Sequence, residues 1–339
     1  MLFNAFTLPL VLLLSFAVTT NSFIPTAVLK TPTVLFSTSS AYSATTSQAA
    51  PLEPLAMDRY YATNRFTVRK NKGAKFEQRW AKRKSKLATL PGFKYFNLMR
   101  RVKMEEDDTF VDDFDYVSLT VWADKKSFNM WRSGEAFKEA HGGTSVWAFT
   151  KTMIQSLRVL KNAPSPAFYD GLLQLSNPPS SANAAKIVDG WREIEADGKE
   201  KLAAESFVAT NQFYVPAENG PAFEARWAGR ESSLKDLDGF VSFSLLRRDG
   251  RAKGHGVKAL DPSEPTYQST TIWRDRAAFQ AWRDGQSFKK AHGSGGTDGE
   301  KKKEEGGEKP PAPPKPLWSK PPKPVFYEGV LVISSEAGA

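Results

Sequence analysis

Between residues 59 and 68 the chain reads RYYATNRFTV, an alternation of aromatic, β-branched and polar residues that predicts a strand. From Phe76 the period changes. Apolar residues return at Trp80, Leu87 and Leu90, a helical stripe that ends near Pro91–Gly92–Phe93. FKYFNLMRRV and DYVSLTVW go back to the strand pattern, separated by the acidic turn KMEEDDTFVDD. In SFNMWRSGEAFKEAH, Phe128 and Trp131 fall on one helical face, and Phe137 lies four residues before His141 on another. AFYDGLLQLS then predicts a closing strand, giving strand, helix, strand, strand, helix, strand.

The same succession is written again further along. Asn64 is matched by Asn211, Trp80 by Trp227 and Gly92 by Gly239, each 147 residues on. DYVSLTVWADKKSF is matched by TYQSTTIWRDRAAF with the offset grown to 151, which places an insertion in the second copy at RRDGRAKGHG. AFYDGLLQLS is matched by VFYEGVLVIS. Helices alternating with antiparallel strands in this way predict an α+β class and a ferredoxin-like unit. One such sheet leaves a face uncovered, so two copies packed face to face predict a pseudo-dimer within a single, monomeric chain. The copies span residues 58–178 and 203–336, joined by a linker over 179–202. TSVWAFTKTMIQSLRVLKN predicts an extra helix in the first copy. The second copy carries instead a Gly-, Lys- and Pro-rich insertion over 293–324, whose composition predicts disorder.

The N-terminus has a different character. Residues 1–22 hold an apolar core from Ala5 to Val18, the length of a signal-peptide core and short for a membrane span. Residues 23–57 are rich in Ser, Thr and Ala, with no acidic residue before Glu53. This order resembles the bipartite presequences of algae with secondary plastids, where Phe commonly follows the signal cleavage point, as Phe23 does here. A plastid is therefore the expected location, with secretion as the alternative, and no stable membrane span is expected in the mature chain.

Composition narrows the chemistry. With no cysteine, the chain has no disulfide, iron–sulfur cluster or cysteine–zinc site. The net charge of +10 includes the basic runs KNKGAK and KRKSK, but no nucleic-acid-binding motif accompanies them, so nucleic acid is not an expected partner. There are three histidines: His141, His255 and His292. His141 and His292 close the two copies of F-x-x-W-R-x-G-x-x-F-K-x-A-H, whereas nothing repeats His255. Trp122 and Trp273, Trp80 and Trp227, and Phe93 and Phe240 are also duplicated, and core packing accounts for them.

ATNRF, LPGF, LTVW and F-x-x-W…F-K-x-A-H together resemble the antibiotic-biosynthesis-monooxygenase superfamily, in particular its IsdG-like haem-degrading members. The resemblance covers most of residues 58–178 and 203–336, and it implies that the two copies form a dimeric α/β-barrel of the kind found in this superfamily. It implies His141 and His292 as axial ligands of haem iron, and Asn64 and Asn211 as hydrogen-bond donors over the open side of the ring. Trp131 and Trp282 are then the bulky residues that distort the macrocycle. It further implies ring opening by dioxygen, with electrons from an external reductant such as a ferredoxin or a reductase. Iron and a bilin-type product would be released, and haem would be both substrate and cofactor. The alternatives are a haem-binding or trafficking protein without catalysis, and a cofactor-free monooxygenase of the same superfamily. The first copy is the one expected to form the better site.

Overall fold

The computed structural model describes residues 52–104, 114–140, 156–177, 187–230, 232–251, 261, 263–285 and 316–336. Most of the expected leader, of the acidic turn and of the extra helix lie outside these residues, as do residues 293–315 of the Gly/Lys/Pro-rich insertion and all three histidines. The last part of the insertion, expected to be disordered, is instead ordered: Leu317 and Trp318 pack on the core of the second copy, and Lys323 and Pro324 open the final strand.

The first copy runs β1 (Arg59–Phe66), α1 (Gly73–Ala81), β2 (Phe93–Val102), β3 (Tyr116–Trp122), α2 (Lys125–Ser133), α3 (Glu135–Ala140) and β4 (Ser165–Ser176). A short hairpin follows, β5 (Ile187–Val188) and β6 (Trp191–Arg192). The second copy runs β7 (Ser206–Phe213), α4 (Gly220–Ala228), β8 (Phe240–Arg248), β9 (Tyr267–Trp273), α5 (Arg276–Asp284) and β10 (Lys323–Ser334). Each copy pairs its own strands in ferredoxin-like order, β4-β1-β3-β2 and β10-β7-β9-β8.

Face-to-face packing is only part of the pseudo-dimer, because the two sheets are also hydrogen-bonded into one closed, wholly antiparallel eight-stranded barrel. The reason lies in the edges. A lone four-stranded sheet would leave β2 and β4 with unpaired backbone groups. Here β2 takes β10, and β4 takes β8. The closing strands are long enough to serve two neighbours: Ser165–Gly171 pairs with β1, while Tyr169–Ser176 pairs with β8. Each bends through a register shift as it changes partners, between Leu172 and Leu175 and between Gly329 and Leu331. Glycine is required beside these bends. A Cβ on Gly171 would lie 2.4 Å from the Tyr61 ring, and one on Gly329 would lie 2.1 Å from the Ser206 hydroxyl.

Strand alternation splits the core into three. Tyr61, Met99, Leu119, Tyr169, Leu246 and Ile272 fill the barrel interior. Phe66, Phe76, Phe93, Trp122 and Phe128 pack the helices of the first copy on the outer face, and Phe213, Phe223, Phe240, Trp273 and Phe279 repeat this in the second. The four duplicated residues Trp122, Trp273, Phe93 and Phe240 are accordingly core, all at most 4% exposed.

Two sequence expectations change. The stripe from Phe76 to Leu90 is not one helix, since α1 stops at Ala81 and Leu87–Thr89 forms a 3-10 turn. Four cations in KRKSK oppose helical spacing there, and the Ala88 N–H donates to Gly190 O at 2.9 Å instead of to a helical carbonyl. That acceptor belongs to the β5–β6 hairpin, so the described part of the 179–202 segment is not a loose tether. Asp189 and Gly190 both have positive φ, 51° and 78°, as a two-residue hairpin turn needs. Trp191 is then buried against Phe96 at 5.3 Å.

The copies are also tied by buried charge. Arg100 on β2 donates to Glu77 of its own α1 at 2.9 Å and to Glu328 of β10 at 2.6 Å. The Tyr116 hydroxyl and Leu202 N–H complete the Glu77 carboxylate at 2.7 and 2.5 Å. The second copy repeats this. Arg247 donates to Glu224 at 2.9 Å and to Asp170 of β4 at 3.0 Å, with the Tyr267 hydroxyl at 2.7 Å and Leu55 N–H at 2.6 Å. Burial, followed by the adjacent carboxylates, raises the Tyr116 and Tyr267 hydroxyls well above the ordinary phenol range. Removing one partner of such a knot strands a desolvated charge. Arg100→Ala is expected to cost about 3–5 kcal/mol in urea unfolding followed by tryptophan fluorescence, whereas Arg274→Ala, whose guanidinium pairs at the surface with Asp238, should change little. Equal effects would refute the assignment.

A second tie joins α2 and α5 each to the opposite copy. Lys125, at the start of α2, pairs with buried Asp249, which follows β8. The Tyr60 hydroxyl donates to the same carboxylate at 3.2 Å and the Arg251 N–H at 3.0 Å. Burial pushes the Asp249 carboxyl up, but these partners outweigh it and hold it below the usual carboxylate range. In the second copy Arg276 of α5 reaches the Lys103 and Met104 carbonyls at 3.1 and 2.9 Å. A depressed folded-state pKa contributes stability above the unfolded value, about 4, and loses it as pH falls through the folded value. Asp249→Asn should therefore flatten the acid limb of the stability–pH curve. At neutral pH it should cost about 1–3 kcal/mol, trimmed because Lys125 is partly exposed. An acid limb as steep as the parent's would count against it.

Candidate active site

The outer face of β1 presents Tyr60, Ala62, Asn64 and Phe66 in alternation. Tyr60, Ala62 and Phe66 are buried under the helices at 1%, 8% and 7% exposure, yet Asn64 between them is exposed. A single uncovered position on an otherwise buried strand face marks an opening between sheet and helices. Among the described residues the Asn64 amide makes no side-chain hydrogen bond, which leaves its donors and acceptor for a ligand. On β7 the row is Phe207, Ala209, Asn211 and Phe213. Phe207 and Phe213 are buried and Asn211 is half-buried, so this opening is narrower.

Trp131 and Trp282 sit on the helices that cover the same faces. Asp124 starts α2 by accepting the Ser127 N–H at 2.7 Å, and Asp275 starts α5 by accepting the Ala278 N–H at 2.8 Å. Trp131 is half-buried, stacked on Trp122 at 5.2 Å and 28°. Trp282 is stacked on Trp273 at 5.3 Å and 29°. The backbone turns extended at Gly134, ending α2 before α3 begins. That break lets Phe137 meet Trp131 edge-on at 5.0 Å. Each Trp is thus braced from behind by an aromatic stack, the arrangement of a rigid wall.

The structure places Asn64 and Trp131 on one side of the first sheet, and Asn211 and Trp282 on the corresponding side of the second. His141 follows directly on the last residue of α3, but it and His292 lie outside the described residues, so their ligand role stays an expectation. No cluster of three or more His, Asp or Glu able to hold a metal ion occurs among the described residues. An aromatic cleft with one uncommitted amide suits a flat, largely apolar ring whose metal needs one axial ligand, and in that respect the residues present fit haem.

Sequence reading missed the asymmetry of the two clefts. Tyr60, Lys125 and Asp249 form a polar trio at one end of the first. Phe207, Arg276 and Val102 hold the matching positions around the second. The Lys125 ammonium also lies 5.5 Å from the centre of the Tyr60 ring. The signal was present in the repeat itself, as the few positions where aligned strands differ in polarity.

The antibiotic biosynthesis monooxygenase family model matches residues 59–143 and again residues 206–294. A haem oxygenase of Mycobacterium tuberculosis (strain CDC 1551 / Oshkosh), described as mycobilin-producing, is 37% identical over 81 residues. These cover 24% of this chain and 66% of that protein, just under two thirds of its length. A solved haem-degrading protein of Mycobacterium tuberculosis with two haems in its active site is 29% identical, covering 37% of this chain and 96% of that one at a TM-score of 0.24. A cofactor-independent oxygenase from Streptomyces nogalater is 17% identical, covering 37% of this chain and 99% of that one at a TM-score of 0.19. With both copies matched over more than half the chain, the protein belongs to the antibiotic biosynthesis monooxygenase family as a tandem duplication.

Proposed function

We propose that the protein is a haem-degrading monooxygenase that opens the porphyrin with dioxygen and external electrons, releasing iron and a bilin-type product. The observation that carries this reading is the exposed, uncommitted Asn64 on a buried strand face, with Trp131 braced on the helix covering that face. A protein that only stores haem has no need of a donor over the ring or of a bulky indole pressed on it. The similarity to a haem oxygenase supports the same reading.

Bound haem supplies an iron centre at which dioxygen can be reduced. The rest is the work of this chain. His141 would hold the haem iron through neutral imidazole. Asn64 would offer its uncommitted amide N–H to an oxygen ligand and so bias where the ring is attacked. Trp131, backed by Trp122 and Phe137, would press on the ring and favour a distorted shape. The apolar walls keep bulk water out. His292, Asn211 and Trp282 repeat these roles in the second cleft, and the wider opening at Asn64 favours the first. Carriage of haem without cleavage, and cofactor-free oxygenation, are the competing readings. The acid-free, hydroxyl-rich leader supports a plastid location, with secretion as the alternative.

The deciding experiment is a haemin titration of residues 51–339, followed at the Soret band and then in air with a reductant. Parent protein should bind haem, and His141→Ala and His292→Ala should each lose about half of it if both clefts are sites. Asn64→Ala and Trp131→Ala should keep binding and slow bleaching by about tenfold or more. Stable binding without bleaching would establish a carrier. Unimpaired binding by the double histidine variant would overturn the haem site.

A further inference from the structure

The two copies share a fold but not a surface. On the first, Lys72, Lys75, Arg79, Lys82 and Lys86 follow one another along α1 and the turn after it. Spacings of three and four residues put the first four on one stripe. The matching residues of the second copy are Asn219, Ala222, Arg226, Gly229 and Ser233. Five cations therefore stand against one. The lysines are accessible, since Lys75, Lys82 and Lys86 are exposed and Lys72 is half-buried, whereas Arg79 is half-buried and donates to the Ser156 hydroxyl at 3.1 Å. The central arginine of the face meets other chain in both copies, Arg79 at Ser156 and Arg226 5.7 Å over the ring of Trp318, so the copies differ in their lysines.

The position of the stripe matters more than its charge. Behind it, Trp80 packs edge-on against Phe66 at 5.9 Å, and Phe66 is the next outward-facing residue after Asn64 on β1. The basic stripe is thus the outer surface of the aromatic wall at the Asn64 end of the first cleft. Beside it runs the opposite charge. Gln78 of α1 donates to the Ala196 carbonyl at 2.9 Å, and that neighbourhood carries exposed Glu193, Glu195, Asp197 and Glu200.

We propose that this stripe docks a small acidic electron-carrier protein that delivers electrons to the first cleft. The inference rests on the haem-degrading reading, which requires an external donor. A uniform polyanion, whether nucleic acid or an anionic membrane, needs a continuous positive surface, and the neighbouring acidic strip repels one. A protein with an acidic patch and a mixed periphery fits against both. Steering by such a patch raises encounter rates and falls steeply with salt. Two aromatic side chains behind it shorten the path across the wall.

The stripe can be erased without a folding risk by writing in the residues the second copy already carries at the same places: Lys72→Asn, Lys75→Ala, Lys82→Gly and Lys86→Ser. Binding of a plant-type acidic [2Fe–2S] ferredoxin to the full chain would be measured by calorimetry in parent, quadruple variant and a charge-matched control. The control changes Lys103, Lys126, Lys235 and Lys320, each to Ser. Parent and control should bind alike and weaken about tenfold between about 20 and about 200 mM salt. The quadruple variant should bind at least about tenfold more weakly even at low salt. Equal binding by the quadruple variant and the parent, or no ferredoxin binding by the parent, overturns the docking surface, as would tighter binding of single-stranded DNA or phosphatidylserine vesicles than of ferredoxin. A haemin titration of the same samples separates the two questions: unchanged haem binding with unchanged docking discards the stripe alone, while absence of haem binding discards the reading it rests on.

Discussion

Two half-buried arginines, each on a buried glutamate, hold the molecule to its architecture. Arg100 and Arg247 each bridge a carboxylate of their own copy and one on the closing strand of the other, so neither copy can satisfy its interior charge alone. An unpaired ion in such a place costs several kcal/mol, and a slipped register or a separated pair of sheets would part Glu328 from Arg100 and Asp170 from Arg247 at once. Hydrophobic burial supplies most of the stability, but it is indifferent to which strand closes which sheet. The ion knots are not. They fix β4 beside β8 and β10 beside β2, and the barrel follows.

The clefts inherit their rigidity from this frame. Asn64 and Asn211 lie on strands paired on both sides, and the tryptophans lie on helices pinned at their first residue to the opposite copy. Neither cleft is wholly the property of the repeat that names it. Duplication within one chain also frees the halves to differ, which two identical subunits cannot do. The Tyr60–Asp249 contact in one cleft, with Phe207 at the matching place in the other, shows the halves already unequal.

Strand and helix order were readable because the pattern is strong and written twice, and the core identity of Trp122 and Trp273 followed from the same repetition. What escaped was non-local. Periodicity runs along one segment and cannot say whether an edge strand pairs with its own copy or the other, so the barrel was expected from the family resemblance alone, and which strands close it was not legible. The Asp189–Gly190 turn was legible as a hairpin signal but was lost inside a charged segment read as linker. Glu77 and Arg100 stood at matched offsets as charged residues in apolar runs, a mark of buried pairing that needs the fold to name the partner. For the site, Asn64 and Trp131 could be picked out by type and repetition, while the opening at Asn64 and the Tyr60–Lys125–Asp249 trio depend on side chains brought together from far apart in the chain.

The pairing of β2 with β10 ties two strands more than two hundred residues apart. On the ribosome, the edge of β2 emerges and waits until more than two hundred further residues have been made before its neighbour exists. During that interval the first copy is a sheet with an open side, a template for any passing strand. Residues facing that edge include Arg100 and Arg101, and their charge discourages mispairing while the chain is incomplete. Synthesis order thus makes the first copy's maturity conditional on the second, and a chain stopped short of β10 would present to quality control an unclosed edge rather than a finished half.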